Sequence, residues 1–149
     1  MTRTLRAPHA LTVEQFKDDT WGASFKIDSR LLAPVLLELA LIRESLADRL
    51  ICLGENGVKV SLHLTRDNEF SSGHYEKSTA DIMLSQRDLE FLSSFLLKYY
   101  RDRVAEVDHI DIDIYRPDSG VEEGVFIIQA ADSNPGMSGD EARRILGIT

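Results

Sequence analysis

The chain carries a single cysteine, Cys52, so no intrachain disulfide can form. Its setting, the apolar run Leu50-Ile51-Cys52-Leu53, reads as a buried structural thiol in a reducing compartment. Long hydrophobic runs are also missing. Nowhere do about 18 consecutive apolar residues occur, and the N-terminal stretch MTRTLRAPHALTVEQF lacks the apolar core of a secretory signal. The expectation is a soluble, cytoplasmic protein with no membrane partner. Catalytic signatures are absent too. No G-x-S-x-G elbow surrounds any serine, no glycine-rich phosphate cradle appears, and the four histidines show no H-E-x-x-H spacing. One cysteine excludes a cysteine-rich zinc site. No cofactor is expected.

Positive charge is scarce. Seventeen Lys and Arg stand against 25 Asp and Glu, a net charge of −8. The deficit is regional: residues 106–149 hold 3 basic side chains (Arg116, Arg143, Arg144) and 10 acidic ones, a net of −7. Such a field disfavours nucleic acid and anionic membrane surfaces and favours a basic partner.

What is present describes an ordinary globular chain. Its 149 residues, 43% hydrophobic and 28% charged, suit one domain over 1–149. Thr12 and Gln15 have capping-box spacing, with Leu11 and Phe16 placed as a hydrophobic staple, so a short helix near 13–19 competes with a strand. Trp21, Ala23, Phe25 and Ile27 alternate as in a half-buried strand ending at Asp28-Ser29, and Trp21 reads as a core anchor. Leu32, Val35, Leu39, Ile42 and Leu46 then line one face of a helix capped by Asp28 or Ser29, with Pro34 in its first turn. Additional leucines at 31, 36, 37 and 41 widen that stripe. So much apolar surface calls for cover on more than one side, by a sheet or by a partner, a homodimer included.

Asn56-Gly57 marks a tight hairpin between Leu50–Leu53 and Val58–Leu64. After turn-like residues 66–73, Tyr75 to Leu84 reads as one strand with Asp81 facing outward. Ser85 and Asp88 then start a second helix whose stripe is Leu89, Leu92, Leu96, Tyr99 or Tyr100, and Val104. Strands at 107–115 and 124–130 follow, the latter apolar on both faces and so expected inside the sheet. A linker at 132–137 leads to a short C-terminal helix capped by Ser138. No internal repeat of a length that would imply a solenoid is evident. The order predicts an α+β fold, a mostly antiparallel sheet of about five to six strands with two long helices on one face.

The sharpest constellation is His109-Ile110-Asp111-Ile112-Asp113-Ile114-Tyr115. Strand alternation sends the three isoleucines inward and puts His109, Asp111, Asp113 and Tyr115 on the opposite face. With Asp108, Asp118, Glu122 and Glu123 nearby, carboxylates surround an aromatic anchor, a pattern suited to an Arg/Lys-rich protein. These eight residues are the expected partner-binding surface. The same alternation also describes a plain solvated face that discourages edge pairing. A metal-dependent enzyme is a further alternative, using His109, Asp111 and Asp113 with His63 or Asp81 completing the site. The expected function is that of a small acidic binding protein, on the pattern of bacterial immunity proteins that neutralise a basic toxin domain. A structural or assembly module using the leucine-rich helix is the other candidate.

Overall fold

A computed structural model of the protein describes residues 1–16 and 18–132. Nine strands and two helices run in the order β1 (Thr2–Arg6), β2 (Leu11–Gln15), β3 (Trp21–Ile27), α1 (Ser29–Arg43), β4 (Arg49–Leu53), β5 (Lys59–Thr65), β6 (Ser72–Glu76), β7 (Thr79–Ser85), α2 (Gln86–Asp102), β8 (His109–Tyr115) and β9 (Glu122–Ala130). All nine strands share one sheet, ordered β1-β4-β5-β7-β6-β8-β9-β3-β2. The expected five to six mostly antiparallel strands are therefore a misreading. The sheet is larger and mixed, with parallel pairs at β1–β4, β5–β7, β6–β8 and β3–β9.

Three local features enlarge the sheet. Thr2–Arg6 holds only one apolar residue, Leu5, and becomes a strand because β4 supplies its hydrogen bonds. Leu11–Gln15 is a strand and not the start of a helix, since it pairs with β3 along its whole length. The stretch read as a single strand from Tyr75 is two, turned at Lys77 and Ser78, both with positive φ.

β1 and β2 stand at opposite ends of the strand order although only residues 7–10 join them. Five Cα steps span at most about 19 Å. Eight strand spacings laid flat would separate those edges by about 38 Å. The sheet is therefore rolled until its edges approach. The joining turn is tied to both sides, Ala7 N–H donating to the Leu53 carbonyl and the Ala10 carbonyl accepting from Lys26 N–H, each at 2.8 Å.

Both helices begin where the sequence places them. The Asp28 carboxylate caps α1 by accepting from the N–H groups of Arg30 and Leu31, and Ser85 caps α2 by accepting from Asp88 N–H. Pro34 lies at the sixth residue of α1, deeper than the first turn, so the helix forgoes the bond to the Arg30 carbonyl. α1 ends at Arg43, which leaves Leu46 exposed and outside the stripe. The helices pack on each other and on the buried face of the sheet, giving one continuous core. Most of the leucine-rich face is thereby covered from within: Leu32, Val35, Leu39 and Ile42 are buried, Leu31, Leu36 and Leu41 pack partly, and Leu37 is exposed.

The architecture is duplicated. A hairpin, a helix and a second hairpin occur as β2-β3-α1-β4-β5 and again as β6-β7-α2-β8-β9. In each copy the strand before the helix pairs in parallel with the last strand of the other copy, β3 with β9 and β7 with β5. The expected linker and final helix lie outside the described residues except for Asp132, whose N–H donates to the Tyr99 hydroxyl at 3.0 Å. Among the described residues no helix is long and apolar enough to cross a membrane.

Candidate functional site

β8 positions the acidic constellation by strict alternation. Ile110, Ile112 and Ile114 are buried, while His109, Asp111 and Asp113 are exposed on the other face. Across the ladder on β9 stand Gln129 opposite His109, Ile127 opposite Asp111 and Val125 opposite Asp113. No cation sits directly opposite either carboxylate. His109 Nδ1 lies 2.7 Å from Asp108 and its Nε2 3.8 Å from Asp111, an exposed arrangement of small energetic weight.

Asp118, beyond the end of β8, and Glu122, opposite Tyr115 at the start of β9, are exposed and extend the strip. Tyr115 is half-buried, its ring tilted at 51° against Phe70 with centroids 5.3 Å apart. Glu123 departs from the expected surface. It is the extra residue of a β-bulge, since Tyr115 faces Glu122 while Ile114 faces Gly124. Its side chain is only 11% exposed, with Oε1 at 3.9 Å from Arg116 and 3.6 Å from His74. The carboxylate is tucked in beside these two side chains, its Oε2 buried and without a hydrogen-bond partner among the described residues, so it is not presented to a partner as the exposed carboxylates are.

The structure adds residues that alternation alone could not supply. A groove of about 400 Å³ lies between β8 and the start of α2, lined by Asp111, Ile112, Asp113 and Tyr115 on one side and by Arg87, Asp88, Phe91 and Phe70 on the other. Asp88 is engaged with the Ser71 hydroxyl. Phe91 falls off the Leu89-Leu92-Leu96 stripe and is half exposed, which was the available clue.

His63 and Asp81 do not join this site. They meet diagonally across adjacent β5 and β7, where Asp81 is in register with Ser61 and His63 with Met83, and His63 Nε2 lies 2.9 Å from Asp81 Oδ1. In the sheet order β6 lies between β7 and β8, and Asp81 pairs with His74, past the one β6–β8 meeting point at Ser72 and Tyr115, so it stands apart from the acidic strand. Ser61 Oγ lies 3.4 Å from the same Nε2. A Ser-His-Asp relay uses one imidazole nitrogen for the serine and the other for the carboxylate, and here both partners meet one nitrogen. Among the described residues no group of three or more His, Cys, Asp or Glu side chains is placed to hold a metal ion.

Cys52 is fully buried, and burial first, with the Glu38 charge second, pushes its thiol up to about 12. At neutral pH it is protonated and no nucleophile. Compared with known proteins, the chain matches no protein-family model and no curated protein, so no relative lends its activity to this one.

Proposed function

We propose that this chain is a small acidic binding protein that neutralises a basic protein partner, in the manner of an immunity protein against a toxin. The observation that carries the reading is the row of exposed carboxylates Asp108, Asp111 and Asp113 beside the Tyr115–Phe70 pair, extended by Asp118 and Glu122. Carboxylates on a rigid strand lose little conformational freedom on binding, and a field of one sign speeds encounter with an opposite one. The aromatic pair offers apolar contact at the edge of that field.

Affinity capture from the native source at low and moderate salt tests this. The expected result is a basic protein retained in stoichiometric amount, its association slowing as salt rises and its retention lost in Asp111→Lys/Asp113→Lys. Retention that ignores both the charge reversal and the salt would overturn the reading.

A further inference from the structure

The two halves of the molecule differ in how β4 and its counterpart β8 are flanked. β4 carries a strand on each side, β5 on one edge and β1 along the other, with Thr2 to Arg6 paired in parallel to Arg49 to Leu53. Its counterpart β8 is paired with β9 on one edge, but on the other it meets β6 only through Ser72 and Tyr115. The reason is topological. Residues 66–71 are all spent carrying the chain from the end of β5 across the end of β7 to the start of β6. Among the described residues no segment does for β8 what β1 does for β4.

Hydrogen-bond parity identifies the open groups. Ala130 N–H donates to the Asp108 carbonyl at 2.8 Å, and antiparallel pairing repeats every two residues, so Ile110, Ile112 and Ile114 turn their backbone toward β9. His109, Asp111, Asp113 and Tyr115 turn theirs the opposite way. Tyr115 N–H is taken by the Ser71 carbonyl at 3.0 Å. Among the described residues, the outward N–H and C=O groups of His109, Asp111 and Asp113 meet no other strand.

This edge borders a groove. The volume lined by Phe91 and Asp111–Asp113 adjoins a second one of about 710 Å³ that shares Phe91 and continues past Phe95 and Lys98 to Val107 and Ile110. The β1–β4 pair shows what such a groove takes. There Arg3 turns inward and its guanidinium bonds Glu38 of α1 at 2.9 and 3.0 Å. Glu38 stands ten residues after the α1 cap, and the residue at that distance from the α2 cap is Phe95. An inward side chain beside β8 would therefore meet Phe91 and Phe95, and an outward one would lie beside Asp111 and Asp113.

We infer that the groove between α2 and the open edge of β8 receives an extended segment of a basic protein partner as an added parallel strand, apolar side chains inward and basic ones outward. The basic character rests on the function proposed above, whereas the backbone pairing stands on the edge itself.

The test measures amide exchange by NMR in the full chain with a capped synthetic peptide, Leu-Arg-Leu-Lys-Leu. Saturable binding at millimolar peptide is expected, with the His109, Asp111 and Asp113 amides exchanging about tenfold more slowly. The same peptide N-methylated at alternate residues should lose that protection. Equal binding of the methylated peptide, or unchanged exchange at those amides, would overturn strand addition and leave the charge-based function standing. Protection of equal strength by Leu-Glu-Leu-Glu-Leu would support strand addition and overturn the basic partner. Amides already protected in the free protein would also overturn the proposal. If that protection grows with protein concentration, a second copy fills the edge; if it does not, the chain fills its own groove.

Discussion

The Cys52 thiol and the Tyr99 hydroxyl are both held in their protonated forms by the fold. Burial raises Cys52 from 9.0 to about 12, and burial followed by the Asp132 hydrogen bond raises Tyr99 from 10.0 to about 12. An acid whose pKa is higher in the folded state stabilises that state below its unfolded pKa and loses the contribution as pH climbs toward the folded value. Stability is therefore expected to hold up to about pH 9 and to fall at higher pH, with Cys52→Ala softening the fall and Tyr99 retaining its share. Urea melts over that alkaline range check this. A midpoint independent of pH would show that solvent reaches both groups. Residue-level chemistry was partly legible beforehand: the apolar run around Cys52 announced its burial, and alternation announced Asp111 and Asp113. Glu123 was not legible, because the bulge that places it between Arg116 and His74 depends on the register of β8 against β9.

Elements whose signals are local were read correctly. α2 carries its own cap, its own apolar stripe and a left-handed C-cap at Arg103, which leaves Val104, expected in that stripe, past the end of the helix. The β4–β5 hairpin carries Asn56 and Gly57, both at positive φ, as the sequence required. Ser85 is a junction between elements, ending β7 and accepting the Asp88 N–H at 3.1 Å while its own N–H donates to Ser71. Ser85→Ala is expected to cost about 1 kcal/mol by removing the cap, with the loss read from chemical denaturation. A loss indistinguishable from zero would mean that the end of α2 is held by packing alone. The strands that were missed lack local signals. β1 needs β4, more than forty residues away, and the β6–β7 turn uses Lys77 and Ser78 at positive φ where glycine or asparagine would have advertised it.

At the scale of the molecule, each half supplies the other with a strand partner, through β3–β9 and β7–β5. Parallel pairing between distant segments leaves no period in the sequence, which is why the sheet's size and its duplication could not be read there. Neither half should be stable alone. Residues 1–65 and 66–149, expressed separately, are expected to lack a cooperative melt and to regain one when mixed, as followed by circular dichroism. A cooperative transition in either fragment would contradict the interdependence. The β3–β9 pairing also bears on how the protein is made. Trp21 meets Gly124, so β3 leaves the ribosome about 100 residues ahead of its neighbour and waits several seconds at ordinary elongation rates. During that interval Phe25 and Ile27 lie beside an unclaimed strand edge, and the nascent chain is most exposed to mispairing and to chaperone capture before its last hairpin emerges.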